Sequence, residues 1–150
     1  MKKWHTREDS GISLDGELRW FHDGEPVEHP RIVEAFNRGL RVTDDGRFKL
    51  EIGNDWCFVK VAGPAFGVTA VDVSEEGLSV RLTDRTAELL DPATLLVGAD
   101  GVMTVKVKGG RATARFSRDA QFQLGELAVE TEKGPVLRAA GREWALPVSA

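Results

Sequence analysis

The chain has 150 residues, of which 41% are apolar and 29% charged, a composition typical of one globular domain and too apolar for a disordered chain. Its net charge of −4 disfavours a nucleic-acid-binding protein, whose binding surface is usually basic. Sixteen glycines and six prolines predict many short elements rather than a few long helices.

Two features favour a cytoplasmic location. The charged N-terminal residues 1–9 are not followed by the apolar core of a signal peptide, and no stretch approaches the roughly 20 apolar residues of a membrane span. Cys57 is the single cysteine, so no internal disulfide can form, which fits a reducing compartment. We therefore expect a cytoplasmic protein with no membrane contact.

The first forty residues predict an arm, a hairpin and a helix. Residues 1–16 are polar and glycine-punctuated, and we expect them to form a loose N-terminal arm. Asp23-Gly24 lies between apolar segments and predicts a type I′ hairpin turn. Residues 30–40 predict a helix, because a proline opens it and apolar residues recur on one face. We expect Gly39 to end this helix in a left-handed conformation.

Strands dominate the remainder of the chain. They are predicted over residues 47–52, 56–61, 67–73, 78–82, 102–108, 111–116, 136–138 and 144–146. The segment 56–61 is apolar on both faces and is expected to be a central strand, with Cys57 a small core residue rather than a nucleophile. Pro92 predicts a short turn or helix, and Ser117 predicts the N-cap of a second helix carrying Ala120, Leu124 and Leu127. Pro147 is expected to end the last strand. The fold class is α+β, predominantly antiparallel β.

A weak internal repeat divides the predicted domain. The Asp45-Gly46 step recurs as Asp100-Gly101, and five residues from Glu75 to Leu89 recur 57 positions later. We expect residues 17–150 to form one compact domain made of two related strand-rich halves, about 17–90 and 91–150. The alternative is that β-meanders resemble one another without duplication.

The sequence shows no motif for metal binding or catalysis. The three histidines have no zinc-binding spacing, and we interpret the grouping of His22, Asp23, Glu28 and His29 as a polar hairpin rather than a metal site. Phosphate-binding loops and the Gly-x-Ser-x-Gly nucleophile elbow do not occur. We therefore expect no metal and no cofactor.

One hairpin carries a concentration of positive charge. Between Val102 and Arg118 there are five basic residues and no acidic one. With Gly109-Gly110 as a two-residue loop, one face of the hairpin carries Lys106, Lys108, Arg111 and Arg115. We interpret this basic face as a candidate contact surface for an acidic protein or a small anion. The alternative is a solvated or internally neutralised surface. Nucleic acid is not expected, because the hairpin lacks interleaved aromatic residues.

Residues 18–66 resemble a bacterial family. The segment Trp20-Phe21-His22-Asp23-Gly24-Glu25-Pro26-Val27, continuing through Pro30, Phe36 and Asp44-Asp45-Gly46, is similar to the domain of unknown function 1285 family. The resemblance implies a β-rich α+β fold with repeated motifs and a suggested role in signal transduction, with no agreed catalytic residues. The chain departs from the family pattern at residues 51–55, where the family usually has a Thr-Pro-x-Glu stretch.

These observations favour a non-enzymatic module that senses a ligand or binds a protein in a bacterial signalling or regulatory pathway. The partner would be an unknown protein or a small anionic ligand. The alternative is a small enzyme whose active site is assembled from scattered residues of the type His22, Asp23, Arg81 and Arg85. A homodimer formed through an unpaired edge strand is a third hypothesis.

Overall fold

Short strands joined by glycine-containing turns dominate the computed structural model, which describes residues 5–146. The chain divides into two compact units, residues 1–65 and residues 66–150. Most strand pairs are antiparallel, and two α-helices lie in the described part of the chain. The predicted α+β class is therefore confirmed.

The described residues of the first unit, 5–65, form seven strands and one helix. These are β1 Ile12–Leu14, β2 Trp20–His22, β3 Glu25–Pro26, α1 Pro30–Gly39, β4 Leu40–Val42, β5 Phe48–Ile52, β6 Asp55–Phe58 and β7 Lys60–Val61. The strands form a four-stranded sheet in the order β3-β2-β1-β7 and a three-stranded sheet in the order β4-β5-β6. Strands β1 and β7 pair in parallel.

Trp20 anchors the core of the first unit. Its side chain is buried, and its indole Nε1 donates a hydrogen bond of 2.8 Å to Asn37 Oδ1 on α1. The indole also meets the Phe36 ring edge-on at 5.3 Å. Trp20 thus holds helix α1 through ring packing and through a hydrogen bond. This bond also satisfies the indole N–H, which usually needs a partner when tryptophan is buried. Trp20 is therefore a core residue of the first unit.

Gly39 ends α1 for a reason other than the predicted one. The helix passes directly into β4 at Leu40, and Gly39 does not have positive φ. A Cβ atom on Gly39 would lie 2.2 Å from the backbone oxygen of Glu51 on the adjacent strand β5. Glycine is required here by close backbone approach, which a single sequence cannot reveal.

In the second unit, the part of the chain that the structure describes, residues 66–146, forms nine strands, a 3₁₀ turn and one helix. These are β8 Phe66–Ser74, β9 Gly77–Leu82, β10 Ala87–Leu89, the 3₁₀ turn Pro92–Thr94, β11 Leu96–Val97, β12 Met103–Val107, β13 Ala112–Phe116, α2 Arg118–Gly125, β14 Ala128–Thr131, β15 Gly134–Ala139 and β16 Arg142–Ala145. Six strands form a sheet in the order β10-β9-β8-β13-β12-β11, and the last three form a separate meander, β14-β15-β16. The core of the six-stranded sheet includes Phe66, Val68, Val80 and Ala114, all fully buried.

Two predictions about chain organisation differ from the observed structure. The expected arm over 1–16 contains β1, which lies inside the four-stranded sheet. Its apolar alternation is only three residues long, too short for detection from sequence. The chain divides after residue 65 rather than residue 90, because parallel pairing of β8 with β13 joins parts of both predicted halves in one sheet. Residues 1–4 and Pro147 lie outside the described residues.

The segment 56–61 is not a central strand. It is divided between β6, at the edge of the three-stranded sheet, and β7, at the edge of the four-stranded sheet. Its outward aromatic side chains are covered by cations rather than by another strand: Arg7 lies 4.7 Å from the Trp56 ring centroid, and Arg47 lies 3.4 Å from that of Phe58.

No helix in the described part of the chain is long and apolar enough to cross a membrane.

Candidate functional site

The predicted basic face lies on the hairpin formed by β12 and β13. Thr104 pairs with Arg115 and Lys106 pairs with Thr113, in the register that the sequence predicts. The opposite face buries Val105, Val107, Ala112 and Ala114. Because strand side chains alternate, Lys106 and Arg115 lie together on the outer face of the sheet.

Lys108 does not belong to this outer face. Its φ is +57°, and Gly109 and Gly110 also have positive φ, so the connecting turn extends over residues 108–111 instead of two residues. This backbone directs the ammonium group of Lys108 to Asp84, with 2.7 Å between Nζ and Oδ2. The Nζ atom also donates to Thr86 Oγ1 at 2.9 Å. The side chain of Lys108 is therefore engaged within its own chain, and its role in ligand binding stays a prediction.

Asp84 is the buried partner in this ion pair. Its side chain is only 2% exposed, and its Oδ1 accepts hydrogen bonds from the backbone and the hydroxyl of Thr86. Burial alone would raise the pKa of Asp84, but the hydrogen bonds from Lys108 and Thr86 outweigh it and hold that pKa below its ordinary value. The pair is a structural element of the second unit.

The other three basic residues differ in their surroundings. Arg111 lies in the turn, where its Nε donates to the backbone oxygen of Lys108 at 3.1 Å. Lys106 is exposed, and its Nζ donates to Thr113 Oγ1 at 3.1 Å on the neighbouring strand. Arg115 is half-buried and also borders a cavity. Only Lys106 and Arg115 thus remain as candidates for the outer face.

The cavity next to Arg115, here called the α2 cavity, has a volume of about 740 Å³. It is bordered by the turn before β12, the end of β13 and helix α2, and its lining includes Arg115, Phe116, Arg118, Gln121, Phe122 and Glu126. Ser117 caps the helix by accepting the Ala120 amide, as predicted. Gln121 ties α2 to the turn, since it accepts from the Met103 amide at 3.0 Å and donates to the Gly101 oxygen at 2.8 Å.

Phe122 and Arg118 form the exposed side of α2. Ala120 and Leu124 face the core, whereas Phe122 is 69% exposed. Arg118 precedes Phe122 by one helical turn and is also exposed, so the two side chains are neighbours on one helix face. Neither residue was among the predicted binding residues, because the periodic apolar pattern marks only the buried face of this helix. The signal was a phenylalanine out of phase with the apolar stripe.

A second cluster lies in the first unit and consists of His5, His22 and Asp23, here called the histidine cluster. His5 Nε2 lies 2.9 Å from Asp23 Oδ1, and His22 Nε2 lies 3.8 Å from Asp23 Oδ2. The two imidazole centroids are 4.9 Å apart. His22 and Asp23 are neighbours in sequence, but His5 comes from the predicted arm, so sequence spacing did not reveal this group.

His29 has a different role. Its Nδ1 atom accepts the backbone N–H of Arg31 at 3.2 Å, which makes it the N-cap of α1. In the grouping considered from sequence, His29 is therefore a helix cap, whereas His22 and Asp23 belong to the histidine cluster.

Next to the histidine cluster is a cavity of about 410 Å³, bordered by His5, His22, Asp55, Trp56 and Cys57 among others. Cys57 is half-buried rather than a core residue, because β6 is an edge strand. Trp56 is likewise half-buried. This cavity is therefore bordered by two histidines and a thiol, groups that can bind a metal or take part in proton transfer.

The residues of the hypothetical scattered active site do not lie in one unit. His22 and Asp23 are in the first unit, whereas Arg81 and Arg85 are in the second. Arg81 is engaged by Asp72, with contacts of 2.9 and 3.1 Å from Nε and NH2 to the two carboxylate oxygens.

Two solved structures share this fold. The chain is similar to a DUF1285 family protein from Silicibacter pomeroyi DSS-3, with a TM-score of 0.63, 20% identity, and coverage of 91% of this chain and 79% of that one. It is also similar to a DUF1285 family protein from Shewanella baltica OS155, with a TM-score of 0.55, 13% identity, and coverage of 78% and 91%. No family model matches the chain, and no curated protein matches it. At the level of fold, these likenesses confirm the family resemblance predicted from the sequence.

Proposed function

We propose, from the fold shared with two DUF1285 family proteins, that this chain is a non-enzymatic protein-interaction module of a bacterial regulatory pathway. Its α2 cavity binds an acidic peptide segment that carries an apolar side chain. The observation that carries the proposal is the exposed Phe122 beside Arg118 at the border of a cavity of about 740 Å³. Membership of the family and a cytoplasmic location belong to the same proposal.

The apolar part of the ligand is inferred from Phe122. A phenylalanine that is 69% exposed leaves much of its ring in water. Covering such a ring removes apolar surface from water, and aromatic side chains are frequent anchors of protein interfaces. Because Gln121 fixes α2 to the turn before β12, the ring is presented on a rigid support.

The anionic part of the ligand is inferred from the arginines. Arg118 and Arg115 border the same cavity, and Lys106 shares the outer face with Arg115. A guanidinium can bind a carboxylate through two parallel hydrogen bonds. Two acids, Asp100 and Glu126, also border the cavity, so the carboxylate of the ligand is expected on the side of the cavity where the two arginines lie.

A peptide fits this cavity better than a small metabolite does. Small-molecule sites usually enclose most of the ligand surface. Here the main apolar group is on the outer surface of a helix, which suits a chain that passes over the cavity and inserts one side chain. A second copy of this chain is the competing occupant.

Affinity selection of random 12-residue peptides, followed by fluorescence anisotropy, tests the proposal. Selected peptides should be enriched in Asp or Glu together with one large apolar residue. The single substitutions Phe122→Ser and Arg118→Glu should each weaken binding by about tenfold or more. Leu89→Ser is the matched control, because Leu89 is 54% exposed on the edge strand β10 of the same unit and should leave binding unchanged.

Three results would contradict the proposal. They are peptides without acidic enrichment, equal binding by the Phe122→Ser variant, and a dimer in light scattering that dissociates when Phe122 is replaced. The last result would assign the surface to a second copy.

A further inference from the structure

We propose that His5, His22 and Asp23 bind one divalent transition-metal ion, with Zn²⁺ as the ion best suited to this ligand set. This site lies in the first unit and is independent of peptide binding at the α2 cavity.

The ligand atoms already converge. One donor atom from each of the three side chains lies within 4.8 Å of the other two. His5 Nε2 is 2.9 and 3.0 Å from the two Asp23 oxygens, and His22 Nε2 is 3.8 Å from Asp23 Oδ2. Zinc bonds of about 2.1 Å in tetrahedral geometry place ligand atoms about 3.4 Å apart. Small rotations of surface side chains therefore suffice to surround an ion.

The backbone holds the carboxylate in this position. Asp23 and Gly24 have φ values of +51° and +84°, which form the predicted type I′ turn after β2. The Asp23 amide donates to the Gly11 oxygen at 2.8 Å, which joins this turn to the segment before β1. The Asp23 side chain is thus placed by two chain segments rather than by one flexible loop.

The histidine cluster occupies the space that a side chain at Gly11 would fill. Its φ is +76°, and a Cβ atom there would lie 2.2 Å from Asp23 Oδ1 and 3.0 Å from His5 Nε2. Any other residue would displace both ligand groups. This close packing against glycine is an observation separate from the side-chain distances.

The ligand types select the metal. Two imidazoles and one carboxylate suit zinc and related transition ions better than calcium or magnesium, which prefer oxygen ligands alone. Three protein ligands leave a fourth position for water or another donor. The adjoining cavity gives access to that position, and Arg7, which borders the cavity, is paired with Asp55 at 3.3 Å and lies over Trp56.

The test is Zn²⁺ binding to tag-free protein that has been treated with EDTA. Equilibrium dialysis with zinc analysis should give one bound ion per chain, and Co²⁺ should bind at the same site with a visible absorption spectrum. His5→Gln and His22→Gln should each weaken binding by more than about tenfold, since even outer-shell changes often cost that much. His29→Gln is the matched control and should bind as the parent does, because His29 caps α1 elsewhere.

Gly11→Ala provides a second test that removes no ligand. It should lower metal affinity while circular dichroism shows an unchanged strand content. Phe122→Ser should bind the metal normally, so failure of the peptide proposal and failure of this one are distinguishable. Zinc binding that survives both His5→Gln and His22→Gln, or no specific binding by the parent protein, would overturn the proposal. The cluster would then be only a hydrogen-bonded pair with a neighbouring imidazole.

Discussion

Lys108 and Asp84 join two turns of the second unit through an ion pair with 2.7 Å between Nζ and Oδ2. Asp84 follows β9 and Lys108 follows β12, strands that are separated in the sheet by β8 and β13. The ammonium group also lies 5.1 Å from the ring centroid of Phe66 on β8. The pair therefore fixes the two turns at one end of the six-stranded sheet.

Removing the cation should destabilise the protein. Lys108→Met leaves the carboxylate of Asp84 buried without its charge partner. We expect a loss of about 2 to 3 kcal/mol in the free energy of unfolding, at or just below the usual range for a broken buried pair because Lys108 keeps 19% exposure. Urea denaturation measures the effect. Lys106→Met is the matched control on the exposed face and should change stability by less than about 0.5 kcal/mol; equal effects of the two substitutions would contradict this role for Lys108.

The same pair predicts a dependence of stability on pH. The pKa of Asp84 in the folded protein lies below the ordinary aspartate value of 3.8, so its contribution to stability is fully present above the unfolded pKa and is lost as pH falls through the folded pKa. The difference in unfolding free energy between the parent and Asp84→Asn should be constant between about pH 7 and 5 and should shrink below about pH 4. A difference that grows on acidification would show that the folded pKa is raised instead.

Two glycines near helix ends should respond oppositely to alanine. Gly39→Ala places a Cβ atom 2.2 Å from the Glu51 backbone oxygen, so we expect a loss of about 1 to 3 kcal/mol in stability. Gly125 lies at the end of α2 with open space around it, and Gly125→Ala should stabilise the protein by about 0.5 kcal/mol. Thermal unfolding of both variants measures the contrast; a stabilising Gly39→Ala would show that the helix and β5 separate at little cost.

Two hairpin turns of the second unit have the same hydrogen-bond pattern. Ser74 and Thr131 each donate from the hydroxyl to the oxygen of a glycine three residues later, Gly77 and Gly134, at 3.3 and 2.7 Å. Both glycines have positive φ, +130° and +109°. Alanine at either position should therefore cost about 1 to 3 kcal/mol, and chemical denaturation should give similar values for both. A large loss of stability at only one of the two positions would contradict the equivalence of the two turns.

These twin turns lie within the repeat predicted from sequence. The match of residues 75–89 with positions 57 residues later corresponds to two meanders, β8-β9-β10 and β14-β15-β16. The Asp-Gly match also has a structural counterpart. The backbone amide of Thr43 donates a hydrogen bond to the Arg47 oxygen, and the amide of Gly98 donates to the Val102 oxygen in the same way. Duplication of whole halves stays a prediction, because the units divide after residue 65.

Local signals explain what could be predicted. Gly109-Gly110 and strict alternation were sufficient to give the register of β12 with β13, and Pro30 and Ser117 marked the two helix starts. These features depend on residues close in sequence, whose physical preferences are known.

Long-range contacts explain what could not be predicted. Lys108 is not part of the basic face because its ammonium group pairs with Asp84, which lies 24 residues earlier in the chain. His5 likewise contacts Asp23, which lies 18 residues later. The apolar segment 56–61 was expected to form a central strand, yet the Trp56 ring lies on an edge strand and is covered by cations from other segments. Each of these outcomes depends on a tertiary contact that the periodicity of the sequence does not predict.

The most direct test of the account is an NMR titration of the ¹⁵N-labelled chain with a selected acidic peptide. The proposed site predicts that amide shifts change mainly at Gly101, Arg118, Phe122 and their neighbours around the α2 cavity, and that Phe122→Ser abolishes these changes. Changes centred on the histidine cluster or on the edge strand β10, with the α2 residues unaffected, would contradict it.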